Sequence, residues 1–177
     1  MVVAIGRLAG EPMTEQRLLL AVSTSRYSEH LVGVAMTEAR RLSADGVVAI
    51  DVLYILEEED LAHLGNRVGD QGFLGLSTTA DLMSTLGEEH HRMAMLRIDE
   101  VKQAAQENGF EVSVDEVKGR FVECVLAHAG KTAYETILIT RADRPFVSRI
   151  LFGSEADRVA RMVKREGLGH VIIDEED

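Results

Sequence analysis

One cysteine, Cys124, is all the thiol this chain has. A lone thiol closes no internal disulfide, which fits a reducing compartment, and a cysteine-based zinc site would want two or more. Long apolar runs are missing too: Arg7, Glu11, Glu15 and Arg17 interrupt the N-terminal region, and nothing reaches the roughly 18 residues needed to cross a bilayer. The stretch Val2 to Ile5 is too short for the core of a secretory signal, so a cytoplasmic location is expected. Positive charge is scarce. Nineteen basic against thirty acidic residues give a net charge of -11, a field that repels phosphate backbones and anionic lipid. Neither nucleic acid nor a membrane is expected as a partner, although Arg141, Arg144, Arg149, Arg158 and Arg161 form one local concentration of arginine.

What is present is the balance of an ordinary globular protein, with 46% apolar and 28% charged residues over 177 positions, a length that suits one core. Residues 1–16 are taken as an N-terminal extension broken at Gly10-Glu11-Pro12, and 17–177 as the domain. Leu18 to Val22 is continuously apolar and short, as in a parallel strand buried on both faces. Tyr27, Leu31, Val34, Ala35, Ala39 and Leu42 recur at helical spacing, predicting a helix over 27–43 that begins at Ser25 or Ser28 and stops at Asp45-Gly46. Val47 to Leu56 reads as the second strand, ended by the acidic turn Glu57 to Asp60, which is read as solvated. The glycine-rich segment 61–77 is a long connection and a candidate lid, and the stretch 57–78 a candidate contact surface.

From Thr79 to Asn108 an apolar stripe through Leu82, Met83, Leu86, Met93, Ala94, Ile98, Val101 and Ala105 predicts a long helix; Met83, Met93 and Met95 are assigned to its core side, with a partner surface as the alternative. Phe110 to Val117 alternates and reads as a less buried strand, Phe121 to Ala129 as a helix, and Thr136 to Ile139 as another buried strand. Ser154 to Glu166 is the last helix, His170 to Ile173 the last strand, and Asp174 to Asp177 an acidic tail. The order βαβαβαβαβ specifies an α/β fold: a five-stranded parallel sheet with right-handed crossovers and helices on both faces, Rossmann-like. In such sheets ligands sit beyond the carboxyl ends of the strands, where the winding reverses.

A strand ending at Ile139, an arginine-rich loop and Gly153-Ser154 opening a helix form an arrangement that attracts an anion, through unpaired backbone N–H groups and the helix dipole. The same Gly-Ser pair also serves as a plain cap. The histidine pair His90-His91 cannot share one ion, because neighbours on a helix point about 100° apart, and no metal site is expected. Cys124 reads as a packed thiol. No catalytic residue is assigned; only Asp51 and Asp143 are arguable as a base.

Over residues 17–173 the chain resembles the universal stress protein family. That family ends its fourth strand with Gly-x-x-Gly-x9-Gly-(Ser/Thr), and here Arg144 to Phe152 form the nine-residue spacer before Gly153-Ser154, within a run from Val147 to Val159 much like the family's. The resemblance implies an adenine nucleotide alpha hydrolase-like fold and an ATP-type pocket formed by Ser23, Ser25, Ile55, Thr140, Arg141, Asp143, Arg144, Gly153 and Ser154. Thr140 and Asp143 stand where the first two glycines belong, so a Cβ now blocks close backbone approach to a phosphate and Asp143 adds a repelling charge. Ser23 replaces the usual aspartate after strand 1; Ile55 falls on the adenine-packing position. The implied ligand is ATP with reduced or lost affinity, or AMP. The implied function is a stress-response regulatory domain, homodimeric through His170, Val171, Ile172 and Ile173, since an unpaired apolar edge strand invites pairing. The alternatives are an ATP- or AMP-binding protein with weak ATPase or nucleotidyl-transfer activity, and a subunit that binds only a protein partner.

Overall fold

The computed structural model describes residues 15–23, 26–44, 46–57, 76–141 and 154–174, the side chains of 29, 76–87 and 90 apart. Along the chain run β1 (Glu15–Ser23), α1 (Glu29–Ser43), β2 (Val47–Glu57), α2 (Leu76–Glu107), β3 (Glu111–Gly119), α3 (Phe121–Ala129), β4 (Thr136–Thr140), α4 (Glu155–Glu166) and β5 (His170–Asp174). The strands form one parallel sheet in the order β3-β2-β1-β4-β5. This is the α/β architecture that the alternation of apolar runs and helical stripes specifies.

Burial explains which run goes where. The continuously apolar β1 takes the centre, where both faces are covered, and Leu18 to Ala21 are wholly buried. The alternating β3 lies on one rim and the short β5 on the other, each with half-exposed positions. Because side chains alternate across the sheet, Leu18, Leu20, Val22, Ile50, Val52 and Tyr54 pack under α1 and α2. Leu19, Ala21, Leu53, Ile55, Ile137 and Ile139 pack against α3 and α4 on the opposite face. Each fully buried leucine or isoleucine contributes about 2 kcal/mol.

Two of the helices that begin at the sheet's carboxyl edge, α1 and α4, carry serine caps. Ser28 Oγ accepts from Leu31 N at 3.0 Å, and Ser154 Oγ from Asp157 N at 3.0 Å. Of the two candidate caps for the first helix, Ser28 is the one used. Helix α4 stops at Gly167, whose φ of 67° suits a residue without Cβ.

Three expectations are corrected. Glu57 is not part of a solvated turn: it ends β2 and is buried, because its carboxylate meets Arg26. Met95 is not on the core side of α2 but 39% exposed, one position past the buried Ala94 and so rotated off the stripe. Asp174 belongs to β5 rather than to the acidic tail, and is buried. The segment proposed as a lid lies outside the described residues between 58 and 75, as do Ser25, Asp143, Arg144 and Gly153. No helix among the described residues is long and apolar enough to cross a membrane.

Candidate functional site

The winding reverses between β1 and β4: the chain builds outward through β2 and β3 on one side of β1, then returns to β4 and β5 on the other. At the carboxyl ends of these strands, where the topology places a crevice, the start of α4 is tied to Arg26 after β1, through it to Glu57 of β2, and to Arg141 after β4.

The first wall of the crevice is a buried cation. Arg26, just after β1, is 1% exposed, and its guanidinium lies 4.3 Å from the ring centre of Phe121 on α3. Its Nε donates to Glu57 Oε1 at 3.0 Å, and Nη2 donates to Glu155 in the first turn of α4. Ser23 Oγ donates to the same Glu57 oxygen at 2.5 Å. The ends of β1 and β2, the start of α4 and the aromatic face of α3 are thus joined through one arginine. A guanidinium suits this place because its planar donors serve two carboxylates while its face stacks on a ring.

The second wall is the start of α4 itself. Arg141, directly after β4, holds both oxygens of Asp157 at 3.0 Å through its two terminal nitrogens, and Nη1 also donates to Ser154 Oγ at 2.5 Å. The Arg141 guanidinium, helped by Ser154, pulls the Asp157 carboxyl down to about 2. The positive pole of α4 therefore already faces two carboxylates of its own first turn, Glu155 and Asp157, each held by an arginine.

Of the residues singled out in the sequence, Ser23, Arg141 and Ser154 converge on this helix start. Thr140 and Ile55 do not. Thr140 turns toward the opposite face and donates to the backbone oxygen of Asp174 at 3.2 Å. Ile55 is wholly buried between the sheet and α3, leaving only its backbone near the edge. Asp51 is ruled out as a base for the crevice. It lies in the amino-terminal half of β2, opposite Leu19, and accepts from Arg17, Ser113 and Tyr134 at 2.6–3.0 Å. Burial pushes its carboxyl up, but the hydrogen bonds from Ser113, Arg17 and Tyr134 outweigh this and hold it below the usual range. Burial and the Asp51 charge drive the Tyr134 hydroxyl upward in turn.

Sequence reasoning missed Arg26, Glu155, Asp157, His30 and Asp174. Buried Asp174 binds Ser28 Oγ and His30 Nδ1, both at 2.7 Å, which closes the carboxyl edge on the α1 side. The available signal for Arg26 was a cation directly after a buried strand, where a solvated turn would be the default reading. A separate cavity of about 270 Å³ lies at the amino edge of the sheet, lined by Ala129 to Tyr134, Gly167 and Leu168, on the far side from the crevice. Among the described residues no group of three or more His, Cys, Asp or Glu is placed to hold a metal.

The Universal stress protein family matches residues 15–165. No curated protein matches the chain. Among solved structures, the hypothetical protein MJ0577 is similar at a TM-score of 0.61 with 12% identity, over 92% of this chain and 96% of that one. A universal stress protein in complex with cAMP is similar at 0.58 with 14% identity, over 92% and 98%. A universal stress protein family member from Burkholderia pseudomallei is similar at 0.53 with 13% identity, over 91% and 96%. At these identities the likeness is one of fold.

Proposed function

Because this chain belongs to the universal stress protein family, we propose that it is a homodimeric regulatory domain whose nucleotide-type crevice has lost most of its affinity for ATP. One observation carries the second half of that reading: the anion-attracting start of α4 is satisfied from within. Asp157 takes up Arg141 and Ser154, and Glu155 engages Arg26. An incoming triphosphate meets two carboxylates where it needs donors, and must break charge-assisted hydrogen bonds to gain its own. Asp143, at the position of the family's second glycine, opposes it in the same sense. A smaller and less charged ligand, such as AMP or a cyclic nucleotide, faces less repulsion; one structural relative was solved with cAMP.

The homodimer half rests on the contrast between the two rims. Edge strand β3 carries Glu111, Asp115, Glu116 and Lys118, the kind of charge that blocks edge-to-edge pairing. Strand β5 has Val171, Ile172 and Ile173, each only half-covered within one chain. A second copy completes that cover.

Calorimetry with ATP, AMP and cAMP tests the ligand reading. The native chain binds ATP no tighter than AMP, and Asp157→Asn, which releases Arg141 and removes one charge, tightens binding of phosphate-bearing ligands about tenfold, the worth of roughly one charge-assisted hydrogen bond. Asp143→Gly acts in the same direction. Tight ATP binding by the native chain would sink the proposal from one side. Silence of every variant toward every nucleotide would sink it from the other and leave a subunit that binds only protein.

A further inference from the structure

We propose that the outer face of α4 is a docking surface for a short acidic segment of a partner protein. It is the side of the helix turned away from the sheet, and its role does not depend on what the crevice binds.

Helix α4 buries Ala156, Val159 and Val163 against the sheet and α3. At about 100° per residue, Arg158, Arg161 and Arg165 recur on the side opposite those three, with Lys164 beside them, and all four are exposed. Together they form a basic stripe about 10 Å long at a rise of about 1.5 Å per residue.

The ordinary reasons for basic residues on a helix account for only one end of this stripe. Lys164 and Arg165 lie in the last turn, where cations meet the negative pole of the helix. Arg158 lies close to the positive pole, where a cation is disfavoured. Arg161 has Arg158 three residues before it and Lys164 and Arg165 three and four residues after it, like charges on one face that weaken a helix. The carboxylates that would relieve them are engaged elsewhere. Asp157, four residues before Arg161, gives both oxygens to Arg141, and Glu155, three before Arg158, meets Arg26. Arg165 is paired with Glu166, whereas the side chains of Arg158, Arg161 and Lys164 make no hydrogen bond or ion pair among the described residues. The acids that satisfy the crevice are thus the ones withheld from the outer face, which keeps three uncompensated cations.

A stripe that costs its own helix stability is accounted for by an anionic partner, and its dimensions choose the class. A nucleic acid duplex or an anionic bilayer extends far beyond about 10 Å and meets the field of a chain whose net charge is -11. Three or four consecutive acidic residues, about 3.3 Å apart when extended, put all of their charge on the stripe. The guanidinium groups that dominate it take up carboxylates through paired donors.

Fluorescence anisotropy of the full chain with a labelled octaglutamate peptide reads the contact, with octaglutamine as the neutral control. The native chain binds octaglutamate with an affinity that falls as salt rises, and does not bind octaglutamine. Arg161→Glu weakens binding about tenfold or more, whereas Lys102→Glu, the same change of net charge at an exposed position of α2, alters it less than about twofold. Because Arg161→Glu also exchanges like pairs for opposite ones with Arg158, Lys164 and Arg165, its urea midpoint rises slightly while binding is lost. The proposal is overturned if the native chain does not bind octaglutamate, or if the two variants lose affinity equally, since net charge alone then governs binding. It is overturned as well if a DNA duplex, or vesicles of phosphatidylcholine with phosphatidylserine, bind more tightly than octaglutamate and lose that binding in Arg161→Glu, since the stripe then serves nucleic acid or a membrane. A urea midpoint that falls in Arg161→Glu assigns the arginine to the stability of the helix and overturns the proposal in the same way.

Discussion

At the scale of single residues, the decisive one is Arg26. It is among the largest fully buried side chains, and its charge is supportable only because Glu57 accepts from it in the interior and Glu155 reaches it from the rim of the crevice. Removing one partner of a buried pair is more damaging than the pair is stabilising, because the surviving charge stays where water cannot reach it. Arg26→Ala takes the cation from Glu57, whose side chain is 5% exposed and keeps the Ser23 hydroxyl, and also empties the space over Phe121. We expect a loss of about 3–5 kcal/mol in urea unfolding, with Arg26→Ala/Glu57→Leu recovering a good part of it. If the double variant is no more stable than the single one, the stranded charge is not the cause. This residue also marks where sequence reading stops. Arg26 and Glu57 are 31 positions apart and Arg26 and Glu155 are 129 apart, so no local pattern announces their meeting. Each sits in polar punctuation after a strand or at a helix start, where a solvated turn is the ordinary reading. Ser154 was legible because a cap is a local device, satisfied within three residues of itself.

At the scale of elements, periodicity did most of the work. The four apolar runs that became β1, β2, β4 and β5, and the alternating one that became β3, are short-range signals of burial on two faces or one. Their alternation with helices then specified a parallel sheet with right-handed crossovers, but not the strand order β3-β2-β1-β4-β5. Periodicity does not report how closely two elements approach, and the return from α4 into β5 shows this. Gly169 has a φ of 129°, and a Cβ built there would lie 2.4 Å from the carbonyl oxygen of Tyr134, just ahead of β4. Both the backbone angle and the space demand glycine, because β5 is brought to β4 by His170 N bonding Glu135 O immediately afterward. Gly169→Ala is expected to cost about 2–3 kcal/mol and to loosen β5 selectively, since strain and a backbone clash act together. Hydrogen exchange would show β5 amides losing protection while β1 amides keep theirs. By contrast Gly109, also at positive φ but with open space around its Cβ position, costs only about 1 kcal/mol on the same change. Equal effects at the two glycines would refute the close-approach argument.

At the scale of the whole molecule, three of the carboxylates that fasten elements to one another among the described residues, Asp51, Glu38 and Asp157, are held below their ordinary range. Asp51 joins β2 to Arg17 on β1, Ser113 on β3 and Tyr134 ahead of β4. Glu38 on α1 is lowered chiefly by Arg41, and also bonds Thr136 on β4. Asp157 on α4 is lowered to about 2, chiefly by Arg141 at the end of β4. A carboxylate whose folded value lies below its unfolded one, about 3.9 for Asp and 4.3 for Glu, contributes stability that is complete above the unfolded value. That contribution drains away as pH falls through the folded value. The urea midpoint should therefore hold between pH 7 and pH 5 as far as these groups are concerned, and drop steeply from about pH 4 toward pH 2. The three groups do not share the drop equally. Asp157 has the deepest shift but a side chain 39% exposed, so water screens much of its pairing, whereas that of Asp51 is 7% exposed. Asp51→Asn should accordingly flatten the acid limb more than Asp157→Asn does, while lowering the neutral plateau by about 3 kcal/mol, the low end for a broken buried pair because Arg17 still reaches solvent. If Asp157→Asn flattens the limb more, the helix start rather than the sheet governs acid stability, and the crevice is held more rigidly than its exposure suggests.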